Sequence, residues 1–405
     1  MLETHTDDDR SSDWTVIFDG HRKHEYLKSL TIYHDYDSSR SHLVLDAPNL
    51  THLVLRDTVP SLASPLRLLR VLKIDLGGGG VTLGNDGPVM NILHGTPLLS
   101  ELDFNFLYRP GVAGPLLESA TYSAPVTLNH LQSARITQFA RLNNQSMVWP
   151  SIRVPESASL RIKMRGAAVD CYVDLVHALS RQLRYEDYHH LDLRLGRNFQ
   201  IALLSAPGKL NGGPSVFFQH SAGNAIQWDT ILGLLPSNMR PELVTSMNVC
   251  ARMPYDSGSS ATALNTFFDA YPAVVTLQLD TDAYVNRNLH RLIAENARAA
   301  GAGDKTLLFP VLDTIIISRG AHRILAGVRV NIEGHWNLVI EMLKQRAAIG
   351  KRVRRVALVG EWSAGNSAEG AVVLQRIEEH AIGLLAQLVD EVEDRRLSAT
   401  LDSVV

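Results

Sequence analysis

The sequence has only two cysteines in 405 residues, Cys171 and Cys250, and they lie far apart in the chain. They could form a disulfide, but nothing in the sequence requires one, and we expect two reduced, partly buried thiols in an intracellular protein. The N-terminal stretch Met1–Asp13 is acidic and polar, without the basic region or apolar core of a signal peptide. The sequence also lacks an uncharged apolar run of about 20 residues, the length that spans a bilayer.

A strong charge of either sign is missing as well. The net charge is −3 and the pI is about 6.6, so we expect no general attraction to nucleic acid or to an anionic membrane. The hydrophobic fraction of 45% and the charged fraction of 20% are typical of a folded protein with a continuous core. The length suits two or three globular domains or one elongated repeat array. We therefore expect a protein of the cytoplasm or nucleus.

One short pattern recurs along the chain: an apolar residue, two others, a second apolar residue, one other, and a third apolar residue. The last two apolar residues of each copy are two positions apart, so they face the same side of a short strand that the first residue precedes. Such strands bury one side only and become stable when neighbours stack in parallel. The nine copies begin at Leu50, Leu69, Leu99, Leu131, Tyr188, Val244, Val274, Leu312 and Val353.

Four stretches between or after these strands have apolar residues at helical spacing. They cover residues 88–93, 173–183, 337–349 and 371–392, and Gly350 is placed to end the third helix. Alternating strands and helices with right-handed crossovers form a parallel sheet. The sequence therefore predicts an α/β fold, an irregular leucine-rich-repeat-like solenoid with a parallel sheet and helical or loop crossovers.

Two features of a regular leucine-rich array are missing. The copies that begin at 50, 69, 99 and 131 are 19, 30 and 32 residues apart, and those at 312 and 353 are 41 apart. Regular arrays keep roughly 20–29 residues per repeat. The asparagine that normally follows each strand and bonds neighbouring turns is replaced, for example by Thr58 and Gly77. We expect core packing and strand pairing to hold the turns together, and the alternative is an unrelated α/β protein with parallel strands.

Composition divides the chain into five parts. We expect a disordered N-terminus at 1–13, the N-terminal part of the solenoid at 14–205, and a loop-rich seam at 206–240, where Gly, Pro, Ser and Asn are frequent. The C-terminal part of the solenoid follows at 241–360, and a C-terminal helical cap and tail at 361–405.

Motifs for phosphate binding and covalent catalysis are incomplete. Gly77–Gly80 follow a strand, but a dinucleotide loop needs glycine at its sixth position, where Thr82 or Leu83 stands. We therefore expect a flexible turn there. Ser363 resembles the serine of a nucleophile elbow, yet Glu361 occupies the position two residues earlier that requires glycine.

Metal-binding patterns are also missing among the 16 histidines, since none forms a His-Glu-x-x-His pair. His189 and His190 are adjacent and would face opposite sides of a strand. The basic cluster Lys351–Arg355 suits an anion site or a nuclear signal, but its place after a helix end favours exposed arginines with Val353 and Val356 pointing inward. We predict no catalytic, cofactor-binding or metal-binding residue and no cofactor.

Several turns resemble those of a known family. Residues 47–55 and 96–104 resemble the "AP-LxxLxL" turns of F-box proteins, especially those of mushroom-forming fungi. Residues 126–136 are similar to their "VxLPHLxxLxI" turn, 154–162 to the strand that often follows it, and 342–359 to their last helix and strand. The resemblance covers most of residues 45–360.

The resemblance implies a non-enzymatic, protein-binding scaffold, the substrate-recognition region of an F-box adaptor in an SCF-type ubiquitin ligase. The F-box itself, which docks a Skp-type adaptor, is not evident, because its "LPxELLxxI" opening is missing between Met1 and Ser41. The implied partner is an unknown protein substrate, joined by a Skp-type adaptor only if a cryptic F-box exists; the partner-binding residues are unknown. The alternative function is an α/β enzyme of an unrecognised, hydrolase-like type.

Overall fold

A computed structural model describes residues 23–33, 44–76, 88–106, 125–139, 149, 152–165, 169–195, 198–207, 214–221, 228–251, 258–280, 287–319, 332–360 and 368–395. Within these residues the protein is a mixed α/β structure with mostly parallel strands and seven helices. Residue contacts divide the chain into two units. Unit 1 comprises residues 1–185 and 212–225, and unit 2 comprises residues 186–211 and 226–405.

The described residues of unit 1 form eleven strands and two helices. They are β1 (Ser29–Tyr33), β2 (Val44–Leu45), β3 (His52–Arg56), β4 (Ser61–Leu62), β5 (Val71–Leu76), α1 (Pro88–His94), β6 (Glu101–Phe106), β7 (Val126–Thr127), β8 (Ser133–Phe139), β9 (Ile152–Arg153), β10 (Ser159–Arg165), α2 (Val169–Leu183) and, from the later segment, β13 (Ser215–Ser221). Seven of the strands form a parallel sheet in the order β1-β3-β5-β6-β8-β10-β13. The short strands pair separately, β2 with β4 and β7 with β9.

The described residues of unit 2 form seven strands and five helices. They are β11 (His190–Leu195), β12 (Asn198–Leu204), α3 (Trp228–Asn238), β14 (Ser246–Ala251), α4 (Gly258–Asp269), β15 (Thr276–Asp280), α5 (Arg287–Gly301), β16 (Thr314–Arg319), α6 (Ile332–Ala348), β17 (Arg355–Gly360), α7 (Ala368–Leu388) and β18 (Glu391–Asp394). Their order in the sheet is β12-β11-β14-β15-β16-β17-β18, and only β12 runs antiparallel to its neighbour β11.

The apolar pattern of the sequence becomes continuous buried rows in both sheets. In unit 1, Leu53 is in register with Leu72 on the next strand, and in unit 2 Val249 is in register with Leu279. All four side chains are fully buried, and each contributes roughly 1.5–3 kcal/mol relative to an exposed position. In all nine copies the second and third apolar residues lie in a strand and are buried. The leading apolar residue of each copy precedes the strand and is buried as well, so the strand prediction is confirmed.

A tight turn leads into many of the strands. The Leu50 N–H donates a hydrogen bond to the Ala47 carbonyl at 3.1 Å, and Pro48 occupies the second turn position, where its fixed φ is suitable. The leading apolar residue of the repeat is thus the last residue of the turn. The same hydrogen bond recurs in residues 66–69, 96–99, 128–131, 155–158 and 309–312.

Backbone hydrogen bonds join neighbouring strand entries. The N–H groups of Arg70 and Val71 both donate to the Thr51 carbonyl of the preceding strand entry, at 2.8 and 3.1 Å. Such a shared carbonyl satisfies two consecutive donors that would otherwise lack a partner. The shared acceptors are Lys28, Thr51, Arg70 and Ser100 in unit 1, and His189, Thr245, Val275, Asp313 and Arg354 in unit 2.

Side chains form hydrogen bonds to the connection between α5 and β16 of unit 2. The Arg346 guanidinium is fully buried and donates to the carbonyls of Leu308 and Phe309 at 2.9 and 2.8 Å. In the same connection, the Asn296 Nδ2 atom donates to the Thr306 carbonyl at 3.0 Å. Burial lowers the pKa of Arg346 to about 10, so it keeps its charge at neutral pH.

Three of the four predicted helices are confirmed. α1 and α2 include residues 88–93 and 173–183, and α6 includes the predicted 337–349 except its last residue, since it ends at Ala348. Gly350 follows with a φ of 71° and donates to the Ala347 carbonyl. The fourth prediction is wrong at its C-terminal end, because α7 stops at Leu388 and Val392 lies in β18. The N–H groups of Asp390 and Glu391 donate to the Arg354 carbonyl, and these bonds place the start of β18 beside the start of β17.

Regular structure also occurs in residues 206–240, where we expect loops from the sequence. This segment contains β13 and α3. Phe217 and Phe218 are buried on the strand, and Ile231 and Leu232 are buried on the helix. Five of the eight glycines and prolines of the segment stand at 207–214; of the other three, Gly233 and Pro236 lie within α3.

Candidate functional site

The outward side chains in the middle of the unit 1 sheet are mostly charged. Because successive side chains of a strand point to opposite sides, the residues between the buried ones share the other surface. We call this surface the charged face. It comprises Val54, Arg56, Lys73, Asp75, Glu101, Asp103, Asn105, Arg135, Thr137, Arg161 and Lys163, on strands β3, β5, β6, β8 and β10.

Strand register brings distant residues side by side on the charged face. Lys73, Asp103, Arg135 and Arg161 occupy one row across β5, β6, β8 and β10. Neighbouring strands lie roughly 4.8 Å apart, so each of these side chains is within reach of the next. The row therefore depends on the pairing of four strands that come from separate parts of the sequence.

Oppositely charged neighbours form ion pairs on this surface. Lys73 Nζ lies 3.4 Å from Glu101 Oε1, and Arg135 Nη1 lies 3.5 Å from Asp103 Oδ2. These side chains are between 30% and 59% exposed, so each pair contributes only about 0–1 kcal/mol to stability. Their contribution to the stability of the sheet is therefore small.

Asp103 is the carboxylate of the charged face with an altered acidity. Partial burial raises its pKa, while the positive charges of Arg135 and Lys73 oppose that rise. Asn105, which is on β6 with Asp103, donates a hydrogen bond from Nδ2 to Oδ1 of Asp75 on β5 at 2.8 Å. The acidic centre of the face is thus already partnered within the protein.

Three cations of the charged face have no ion pair with any described residue. The Arg161 guanidinium lies over the Phe217 ring at 4.8 Å, and that of Arg56 lies over the Tyr33 ring at 5.9 Å, as in cation–π contacts. Lys163 follows Arg161 on the same side of β10. Such groups are available to an external anion.

A groove of about 490 Å³ runs over the charged face. Its lining includes Tyr33 of β1 and residues from all five strands of the charged face, among them Arg56, Asp75, Asn105, Arg135 and Lys163. The volume lies within the roughly 300–1,000 Å³ of small-molecule pockets, but the lining is dominated by charged and polar groups rather than the usual apolar ones.

The two adjacent histidines do not converge on one site. The Nδ1 atom of His189 lies 3.1 Å from the Leu243 carbonyl oxygen, and the His189 side chain is exposed. His190 is buried, its Nδ1 lies 3.0 Å from Ser246 Oγ, and burial lowers its pKa while Asp192 acts in the opposite direction. Cys250 is buried and forms no disulfide with a described residue.

The basic cluster Lys351–Arg355 is largely neutralised by acidic residues. Arg352 lies 3.3 Å from Asp390, while Arg354 lies 3.7 Å from both Asp390 and Asp313. Arg355 forms ion pairs with two glutamates of β18. The inward positions of Val353 and Val356 are confirmed, whereas the expectation that the arginines simply face water omitted their carboxylate partners.

The glycine run and the serine turn, Gly77–Gly80 and Glu361–Gly365, lie outside the described residues. Among the residues that are described, no group of three or more His, Cys, Asp or Glu side chains is arranged to hold a metal ion. None of the described helices is long and apolar enough to cross a membrane. No protein-family model matches the chain, and no curated protein is similar to it in sequence.

The charged face was missed in the sequence. Most of its residues stand between or beside the apolar positions of the copies that begin at Leu50, Leu69, Leu99 and Leu131, where charged residues are ordinary and carry no motif. Asp103 and Arg135 are separated by 32 positions, so only the strand register shows that they are neighbours. One signal was present, because the copy at Leu131 and the strand at 159–165 both carry basic residues at these intervening positions.

Proposed function

We propose that the chain is a protein-binding scaffold built on degenerate leucine-rich repeats, and that its partner binds to the charged face. The observation that carries this proposal is the in-register row of charged side chains on an exposed sheet surface. A continuous row across neighbouring parallel strands suits an extended partner better than a small molecule.

The repeated turn and strand support a leucine-rich-repeat relationship. Eight of the nine copies combine a leading apolar residue, a shared carbonyl at the strand entry and two inward side chains, and they occur in both sheets. Repeats of this kind leave the outward positions free to vary while the inward ones maintain the core. Binding residues are therefore expected between the buried positions, where the charged face lies.

The finer proposal is substrate recognition for an SCF-type ubiquitin ligase in the cytoplasm or nucleus. It is supported by the resemblance of the turns at 47–55, 96–104 and 126–136 to those of fungal F-box proteins. All three stretches lie at strand entries of unit 1. On this proposal, the charged face takes the substrate, and a Skp-type adaptor joins only through a cryptic F-box.

A steric block tests the binding surface without changing its charge. Thr137 is a half-buried residue of the charged face that lines the groove, so Thr137→Trp should obstruct a partner. Ser157→Trp is the matched control, because Ser157 is exposed in the turn before β10. Proteins captured from an extract with the tagged full chain are compared by quantitative mass spectrometry.

We expect at least one protein to be captured by the unmodified chain and by Ser157→Trp, and to be depleted about tenfold or more by Thr137→Trp, a loss of about 1.4 kcal/mol. Both variants must keep the circular dichroism spectrum and the melting temperature of the parent. Equal capture by both variants would exclude the charged face as the binding surface. Enrichment of a Skp-type adaptor in the same experiment supports the ligase role, and its absence argues against it.

A further inference from the structure

The cations of the charged face concentrate at one margin. Arg135, Arg161 and Lys163 lie on the neighbouring strands β8 and β10, whereas the carboxylates of the face lie on β5 and β6. Asp103 pairs with Arg135, but no described carboxylate pairs with Arg161 or Lys163. We call Arg135, Arg161 and Lys163 the basic margin.

The arrangement of the basic margin is unfavourable for the isolated sheet. Arg135 and Arg161 are directly in register on adjacent strands, and both are exposed. Like charges in such positions repel each other and destabilise the pair. The fold does not need them, since their strands are held by the buried side chains of Ile136 and Ile162 on the other side.

The contact of Arg161 with the Phe217 ring gives its guanidinium a position that suits anion binding. Its guanidinium rests over the Phe217 ring, which limits its rotamers while leaving its N–H groups to bond a carboxylate in the plane. Lys163 stands two residues further along the same strand. Side chains two apart on a strand are separated by roughly 6.6–6.8 Å, which is also the separation of alternate residues in an extended peptide.

We propose that the basic margin binds an extended acidic segment of the protein partner, with carboxylates at alternate positions that meet Arg161 and Lys163. This inference rests on the proposed protein-binding function and specifies the chemistry of the ligand. The carboxylates of Glu101 and Asp103 on the neighbouring strand β6, and of Asp75 on β5 beyond it, disfavour a uniform polyanion such as nucleic acid. A peptide can place neutral or basic residues over them.

The probe is a fluorescein-labelled synthetic peptide of alternating Glu and Ser, with an alternating Lys and Ser peptide and single-stranded DNA as comparison ligands. Fluorescence anisotropy measures binding to the full chain at about 0.1 M salt, where the Debye length is about 10 Å. We expect the acidic peptide to bind, the basic peptide not to bind, and DNA to bind more weakly than the acidic peptide.

Charge reversal identifies the site. The double variant Arg161→Glu/Lys163→Glu should weaken binding of the acidic peptide about tenfold or more. The matched control Arg67→Glu/Arg70→Glu reverses two exposed cations in and just after the turn before β5 and should change the affinity by less than about twofold. An acidic peptide that does not bind the parent chain would overturn the proposal, as would equal weakening by both double variants or tighter binding of DNA.

The two proposals fail separately. If Thr137→Trp depletes a captured partner but the acidic peptide does not bind, the charged face still binds a protein and only the acidic ligand is wrong. If the acidic peptide binds at Arg161 and Lys163 but Thr137→Trp leaves every captured protein unchanged, the cations bind carboxylates and the scaffold function is not supported.

Discussion

The sheets of the two units are alike on their buried sides and different on their outward sides. In unit 1 the outward row across β5, β6, β8 and β10 is entirely charged. In unit 2 the corresponding row across β14, β15, β16 and β17 is uncharged and consists of Asn248, Gln278, Ile316 and the buried Ala357. Since similar strands form with either surface, the outward charges of unit 1 are not needed to form the strands, which supports the proposal that they bind a partner.

The connections of the two units differ as well. The described part of unit 1 contains two helices, whereas five helices lie in the described part of unit 2, one of them carrying the buried Arg346. Both units nevertheless use the same shared carbonyl at the strand entry. Substitutions at equivalent positions can therefore separate what the two units share from what distinguishes them.

The largest effect is expected from truncating the shared buried rows. Leu55→Ala in unit 1 and Leu279→Ala in unit 2 each leave a cavity beneath a strand and should lower the free energy of unfolding by about 2–5 kcal/mol. Denaturant unfolding of the full chain measures both. The outward neighbours Val54→Ala and Gln278→Ala should cost clearly less. An outward substitution as costly as its inward neighbour would contradict the two-sided interpretation of the strands.

Loss of Arg346 should come next. Arg346→Ala removes both hydrogen bonds to the buried carbonyls of Leu308 and Phe309, and we expect a loss of about 2–4 kcal/mol in denaturant unfolding. Arg291→Ala is the control, because Arg291 is exposed on α5 and pairs with Glu295, an arrangement that contributes about 0.3–0.5 kcal/mol. Similar losses for the two variants would show that the buried guanidinium does not hold the connection.

Acidification should affect unit 2 through His190. Burial holds its folded pKa below its usual value of about 6.5, so the unfolded state binds the proton more readily and stability falls as the pH drops below about 6.5. Between about pH 7.5 and 5.5 we expect the parent chain to lose up to about 1 kcal/mol that His190→Gln retains. His52→Gln, at an exposed position of unit 1, is the control. An unchanged pH profile in His190→Gln would contradict this assignment.

The smallest effect is expected from the ion pairs of the charged face. In a double-mutant cycle, Lys73→Gln and Glu101→Gln should show a coupling of less than about 1 kcal/mol, because both side chains are nearly half-exposed. The uncharged in-register pair Gln278 and Ile316 of unit 2, replaced by alanine, provides the comparison cycle. A markedly larger coupling in unit 1 would mean that the charges contribute to the fold and would weaken the argument for binding.

The buried side of the sheets was predictable from the sequence because one local pattern determines it. The spacing that begins at Leu50 in unit 1 begins again at Val274 in unit 2, and in both places it marks a strand that buries one side. The antiparallel strand β12 and helix α5 were missed, although apolar residues of α5 such as Leu289 and Ile293 are buried at helical spacing. Strand β13 was obscured by the glycines and prolines just before it.

The outward side was not predictable for a physical reason. Contacts such as those of Arg354 with Asp313 and Asp390 join residues about 40 positions apart in the chain, and they form only once the strands are in register. A charged residue between two apolar ones indicates exposure but not its neighbour. The candidate site consequently required the pairing of strands, whereas the core required only their pattern.

The shared carbonyls also explain how the repeat length can drift without loss of the sheet. Nine of the described strands are aligned at their entries by two N–H groups that bond one carbonyl of the neighbouring strand entry, and the residues after a strand's exit take no part in that bond. Insertions or deletions after the exit therefore leave the alignment of the next strand unchanged, whereas one residue added between the turn and the strand would exchange its inward and outward side chains. For this reason, neighbouring strands are in register both after a step of 19 residues in unit 1 and after a step of 41 residues in unit 2.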